Sequence, residues 1–371
     1  MLSNNQQAFL ALVRAGLWEE EVRLMPFGDI DFNVIYQLAL EQTVVGLVAA
    51  GLEHVVDTKV PKDFVLLIAG EVLKLEQRNK EMNIFVADLV AKLRSAGVYS
   101  LLIKGQGIAQ CYERPLWRNS GDVDLLLSAD NYKKAVNYIT PMAVCINDEE
   151  EYTKHFSITI DKWEVELHGS LRNGLMQRFD KVIDFVQNEV FCGGLVRSWI
   201  NGNTHIFLPR EDEDVFFVFS HILQHFYKRG IGLRQICDWC RLLWTYKGNI
   251  NTSILKGRLK RAGVLTEWKA FASLAVDVLG MPKDVVPLYS PSFYWSNKVS
   301  RIILFIFETG NFGHNRDFSY QNRFPFVLRK FLSLCRHTWD GVRYFFIFPK
   351  NSIKVWFCKV KCGLIAVAQQ K

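Results

Sequence analysis

The chain has 371 residues, 49% apolar and 22% charged, with a formal net charge of +7. This is the balance of an ordinary globular protein, with apolar material for a large core spread over two or three units. The longest apolar runs, such as Val44 to Leu52, fall far short of the roughly 20 residues that a membrane helix needs, so no transmembrane span is expected.

The first ninety-odd residues read as helical. Ser3 is placed to cap a stretch with apolar residues at Phe9, Leu10, Leu12, Val13 and Leu17, and similar periodicity returns from Phe32. From Asp63 to Ala96 the apolar positions Val65, Ile68, Val72, Leu73, Met82, Phe85, Val86, Leu89, Val90 and Leu93 predict one long helix, ended by Gly97.

At Val98 the pattern changes to short β-type runs, Tyr99 to Ile103 and Val123 to Leu127, with a glycine-containing turn and a helix between them. A helix over Asn131 to Ile139 follows, then a run around Val144. His155 to Ile160 and Trp163 to His168 flank Asp161-Lys162 as a hairpin. After the polar string Pro209 to Asp214, helical periodicity resumes through Val215 to Trp244 and, with breaks, to the end, with a polar loop over Gly310 to Asn322. The expected architecture is α+β: a helical region over 1–96, an α/β core with a small mixed sheet over 97–210, and a helical region over 211–371.

The strongest chemical signal is Gly121-Asp122-Val123-Asp124-Leu125-Leu126-Leu127. Two carboxylates two apart on a strand face the same side, and the oxygen ligands they offer suit Mg²⁺ or Mn²⁺. Two-metal phosphoryl or nucleotidyl transfer needs this arrangement plus a third carboxylate from a neighbouring strand. The run Trp163 to His168 supplies Glu164, Glu166 and His168 on one face. Glu166 is the expected third ligand and proton acceptor, and Glu164 a solvent-side or supporting residue.

Upstream, Ile103-Lys104-Gly105-Gln106-Gly107 ends a strand with two glycines, which lets backbone N–H groups approach phosphate oxygens, and Lys104 and Arg118 add positive charge. No G-x-x-x-x-G-K-S/T string occurs, and Gln110 stands at the third position of a dinucleotide fingerprint, so those two folds are set aside. An Asp-x-Asp at a strand start is common as turn and edge chemistry; the argument rests on the whole constellation in this order. His221 and His225 lie four apart on a predicted helix without a Glu in the metalloprotease position, and a packing role is the simpler reading for them. With His168, Arg234 and Asp238 they form a supporting set around the carboxylates.

Eight cysteines are scattered along the chain, which argues for reduced thiols, and the start, Met1 to Gln7, has no signal-peptide pattern. A cytoplasmic protein is expected. Cys237 and Cys240 have the spacing of a metal knuckle without a matching second pair, and buried helix thiols are the expectation. From Pro325 onward nine Lys or Arg face Asp340 alone, in a segment rich in Phe, Trp and Tyr. Such a tail suits RNA, an anionic membrane surface, or simply a solvated helical face.

These stretches resemble the uncharacterised nucleotidyltransferase family of the polymerase-beta superfamily found in bacterial biosynthetic clusters. The likeness is carried by Leu93 to Val98 leading into Leu101 to Gly105, by Arg118 to Leu127, by Val165-Glu166-Leu167-His168, and by the helix from His221 through His225 to Asp238-Trp239. It implies a nucleotidyltransferase fold in which Asp122 and Asp124 match the paired metal carboxylates, Glu166 the acidic position of the Glu-Leu-His strand, and Lys104, Gly105 and Arg118 other motif positions. In the wider superfamily Gly or Ser usually follows the first glycine, where this chain has Gln106. The resulting expectation is an Mg²⁺- or Mn²⁺-dependent enzyme passing a nucleoside monophosphate from an NTP to an acceptor. The alternatives are a toxin-like or RNA-directed nucleotidyltransferase and a non-catalytic nucleotide-binding or scaffold protein in a biosynthetic cluster.

Overall fold

The computed structural model describes residues 2–150, 154–315 and 324–368. In chain order the elements are α1 (Asn4–Trp18), α2 (Phe32–Glu41), α3 (Val45–Leu52), α4 (Lys62–Ser95), β1 (Ser100–Ile103), the short α5 (Gly105–Ala109), β2 (Val123–Leu127), α6 (Ala129–Ile139), β3 (Cys145–Glu150), β4 (His155–Ile160), β5 (Trp163–His168) and α7 (Gln177–Gly193). Then come β6 (Val196–Asn201), β7 (Thr204–Pro209), α8 (Glu211–Lys228), α9 (Leu233–Thr245), α10 (Thr252–Ala262), α11 (Leu265–Asp277), α12 (Phe293–Thr309), α13 (Phe326–Ile347) and α14 (Pro349–Ala368). The fold is α+β, as the sequence pattern implies.

Local chemistry accounts for the early elements. Ser3 and Gln6 form a reciprocal capping box at the start of α1. The 34 residues of α4 form one unbroken helix, with Lys92 and Arg94 at its negative C-terminal pole. The hairpin of β4 and β5 closes over Asp161-Lys162, with Asp161 at φ 53°, a left-handed conformation that Asp tolerates in tight turns.

The sheet is larger than the sequence reading allows. Its seven strands run in the order β3-β4-β5-β2-β1-β7-β6, with β2/β5 and β1/β7 parallel and the other neighbours antiparallel. The helix α7 and the second hairpin, β6 and β7, are additions to the predicted elements. That hairpin turns at Gly202-Asn203, with Gly202 at φ 58°. Val196 to Asn201 alternates half-buried and exposed rather than apolar and polar, which weakens its strand signature.

The string Glu211 to Asp214, polar in sequence, is the first turn of α8, and Asp212, Glu213 and Asp214 are buried. Arg258 meets Glu213 at 2.6 Å, Arg197 meets Asp214 at 2.5 Å, and the helix pole favours acidic groups there. The loop expected over Gly310 to Asn322 lies partly outside the described residues, and Asn311–Gly313 within it form a short 3₁₀ turn.

Strand alternation divides the core in two. Leu102, Val123, Leu125, Leu127, Val165 and Leu167 pack on one face against α4 and α6. Leu101, Ile103 and Leu126 point to the other face and join a core cluster that runs from Ala8 in α1 to Val355 in α14. The polar residues interleaved on this second face build the site.

Candidate metal and nucleotide site

Register brings the carboxylates together. Asp124 on β2 stands opposite Glu166 on the parallel β5 and opposite Ile103 on the antiparallel β1, and Asp122 precedes β2 on the same side. Asp122, Asp124 and Glu166 each offer an oxygen, all within 4.8 Å of one another. Lys104 Nζ donates to Asp124 Oδ1 at 3.1 Å, and His168 Nε2 lies 2.7 Å from the same oxygen and 3.4 Å from Glu166 Oε2.

The electrostatics are those of a surplus of negative charge. The charge of Asp124, then burial, then the charge of Glu166 push the Asp122 carboxyl up to about 6, against the pull of Lys104 and Arg234. Burial works to raise Glu166, but hydrogen bonds from His155 and His168 and the charges of His168 and Lys104 outweigh it and hold that carboxyl far below its usual range. Burial disfavours charge on His168, yet its bonds to Asp124 and Glu166 prevail and raise its pKa. Lys104 follows the same logic: burial opposes its charge, and Asp124, Glu166 and Asp122 together raise its pKa.

The turn before the site is strained. Lys104 adopts φ 56°, ψ −145°, a region nearly reserved for glycine and costing on the order of 1–3 kcal/mol, and Gly105 follows at φ 43°. That conformation ends β1 and aims the ammonium at Asp124. The next two positions face elsewhere. Gln106 is buried, with Nε2 donating to Asn79 Oδ1 at 2.9 Å, and a Cβ on Gly107 would sit 2.5 Å from Leu208 Cδ2, so the lack of a side chain there admits β7.

Arg118 is likewise turned into the protein. Its Nε and Nη2 grip Asp238 Oδ1 and Oδ2 at 2.8 and 2.7 Å, its Nη1 donates to Ser120 Oγ at 2.8 Å, and the Tyr112 hydroxyl donates to Asp238 Oδ1 at 2.8 Å. This knot ties the segment before β2 to α9. Arg234, also on α9, donates from Nη1 to Asn119 O at 2.7 Å, while its buried Nε has no hydrogen-bond partner among the described residues. Burial, then the charge of Arg118, lowers its pKa, and the attraction of Asp238 and Asp122 opposes that.

On the other flank Glu166 opens onto a cavity of about 420 Å³ between β4, β5 and α8. Lys104, His155, Glu166, His168, His221, His225, Arg172 and Lys228 are among its walls. The rings of His221 and His225 meet edge to face with centroids 4.2 Å apart. Burial, then the charge of Lys104, holds both imidazoles neutral: His225 is driven down to about 3, and His221 well below its usual value. His155 was absent from the candidate residues, although the hairpin register that pairs it with His168 follows directly from the Asp161-Lys162 turn. Cys237 and Cys240 are buried free thiols in α9, their pKa values raised chiefly by burial.

Comparison with curated proteins returned no match, and comparison with solved structures returned none either. A family model described as "Uncharacterised nucleotidyltransferase" matches residues 28–280, from just before α2 through the sheet and α8–α9 to just past α11. With more than half of the chain covered, including every residue of the carboxylate cluster, the chain belongs to this uncharacterised nucleotidyltransferase family.

Proposed function

We propose that the chain is a metal-dependent nucleotidyltransferase that passes a nucleoside monophosphate from an NTP to an acceptor nucleophile. The reading rests above all on the excess of negative charge at Asp122, Asp124 and Glu166, converging within 4.8 Å, which Lys104 and His168 offset only in part. Such a cluster is suited to a divalent cation, and oxygen ligands favour Mg²⁺ or Mn²⁺. Bound there, the ion supplies charge neutralisation on the phosphates and on the attacking and leaving oxygens.

The protein's own groups have distinct tasks in this reading. Glu166, held ionised, is a ligand rather than a strong base. Asp122, whose carboxyl is pushed up to about 6 by Asp124, burial and Glu166, is a ligand whose ionised form a bound cation would favour. Lys104 and Arg234 place positive charge where phosphate oxygens arrive, and Arg118 and Asp238 hold the loop that presents Asp122. The reaction forms a bond from the acceptor to the α-phosphorus and breaks the α–β anhydride, releasing pyrophosphate. Free cysteines at seven described positions fit a reducing, cytoplasmic setting.

Calorimetry with each NTP, with and without Mg²⁺, tests this reading. Metal-dependent binding lost in an Asp122→Asn, Asp124→Asn double variant is the expected result. Absence of nucleotide binding under every condition would favour a scaffold role, and salt-sensitive RNA binding that depends on 325–371 would favour an RNA-directed transferase.

For the basic aromatic segment we propose an anionic membrane surface as the partner. On α13 the residues Leu328, Phe331, Trp339, Val342 and Phe346 recur at helical spacing and are all exposed among the described residues, forming one apolar stripe. Exposed Lys350, Lys354 and Lys361 lie on α14, while Asp340 is buried. Aliphatic Leu328 and Val342 suit acyl chains and cannot stack on bases, and the cations of the following helix suit anionic headgroups. No helix among the described residues is long and apolar enough to cross a membrane. Flotation with neutral and anionic vesicles tests this: selective capture by anionic vesicles, lost in Phe331→Glu, is expected, and equal recovery without lipid refutes it.

A further inference from the structure

The hairpin of β4 and β5 carries a second set of ligand atoms that nucleotidyl transfer as described above does not require. His155, Glu166 and His168 each offer one atom, all within 4.8 Å of one another. Glu166 Oε2 stands 3.0 Å from His155 Nε2 and 3.4 Å from His168 Nε2. A tetrahedral shell with bonds of about 2.0–2.1 Å separates neighbouring ligand atoms by about 3.3 Å. Those two separations bracket this spacing and the third pair lies within 4.8 Å, while His168 Nε2, which also stands 2.7 Å from Asp124 Oδ1, would give up that contact to hold an ion.

Three further observations point the same way. The donors sit on rigid, directly facing positions: His155 opposes His168 across the antiparallel pair, and Ser157 opposes Glu166. The imidazole rings lie 5.0 Å apart and tilted by 49°, so they converge on Glu166 rather than stack. All three side chains line the 420 Å³ cavity, which leaves any ion between them open to a further ligand, as in catalytic rather than closed structural sites.

We propose that His155, Glu166 and His168 form a metal subsite for an imidazole-preferring divalent ion of the Zn²⁺ type, adjoining the oxygen-only subsite at Asp122 and Asp124 and sharing Glu166 with it. Two imidazole nitrogens and one carboxylate select such ions over Mg²⁺, whose preferred ligands are oxygen. A shared carboxylate spaces paired ions by about 3.5–4 Å in known two-metal sites. The subsite's part in transfer rests on the reading above; its capacity to bind metal does not. In the simpler account the two imidazoles only offset the carboxylate charges.

Cobalt(II) separates these accounts, because nitrogen-containing sites of four or five ligands give strong visible bands and six-oxygen sites give weak ones. The full chain, stripped with chelator, is titrated with Co²⁺ at neutral pH in excess Mg²⁺ while the visible spectrum is recorded. The inference expects strong bands that saturate, survive Mg²⁺, persist in Asp122→Asn and vanish in His155→Ala and His155→Gln, with thermal melts showing both His variants folded. Weak bands only, or equal loss in Asp122→Asn and the His155 variants, overturns it. If the bands persist while Mg²⁺-dependent nucleotide binding fails, the transferase reading falls and the subsite stands; the converse result removes the subsite alone.

Discussion

Replacing Asp122 by Asn should stabilise the metal-free protein while it destroys the proposed site. Asp122 is pushed from its ordinary 3.8 up to about 6, chiefly by Asp124 and by burial. That rise corresponds to on the order of 3 kcal/mol against the ionised form. Because the folded state holds this proton more tightly than the unfolded chain, stability falls as pH rises from about 4 through about 6, and the loss is complete above that range. The neutral amide escapes this loss. Urea denaturation in chelator should therefore show no gap between wild type and Asp122→Asn below about pH 4, a gap that opens across pH 4–6, and a plateau on the order of 3 kcal/mol at pH 8. Added Mg²⁺ should narrow the gap by stabilising the wild type alone. A variant less stable than wild type at pH 8 in chelator would refute the like-charge argument.

Other consequences follow from single contacts. Arg118→Met leaves the buried Asp238 carboxylate without its bidentate partner and should cost about 3–5 kcal/mol in chemical denaturation, with Tyr112 retained as a donor. Gly107→Ala drives a methyl to within 2.5 Å of Leu208 Cδ2 and should cost about 1–3 kcal/mol, read as a lowered melting temperature. Lys104→Gly removes both the strained φ of 56° and the cation beside Asp124. It should weaken NTP binding about tenfold or more without a matching loss of folding stability, since the relief of about 1–3 kcal/mol offsets the lost ion pair; equal NTP affinity by calorimetry would remove Lys104 from the site.

Much of the site could be read from period alone. A strand puts residues two apart on one face, so spacing alone places Asp122 with Asp124 and Glu166 with His168. The same rule, applied across the Asp161-Lys162 turn, pairs His155 with His168, and that step is sufficient to find the imidazole the sequence reading overlooked. Long periodic segments such as α4 were equally legible, because burying one face of a helix imposes a 3.6-residue spacing on its apolar positions.

What the chain by itself determined was therefore local: most of the helices and strands, though not α7, β6 or β7, and which side chains share a face. Which distant groups face one another was decided by tertiary structure. Only the parallel pairing of β2 with β5 sets Asp124 against Glu166, and only the packing of α9 against the loop before β2 draws Arg118 away from solvent onto Asp238. The acidic turn of Asp212 to Asp214 reads as solvent-exposed until Arg197 and Arg258 arrive from elsewhere in the chain to compensate its burial. The physical reason is common to these cases: periodicity is written in neighbouring residues, whereas the cost of burying a charge depends on partners that sequence distance does not reveal.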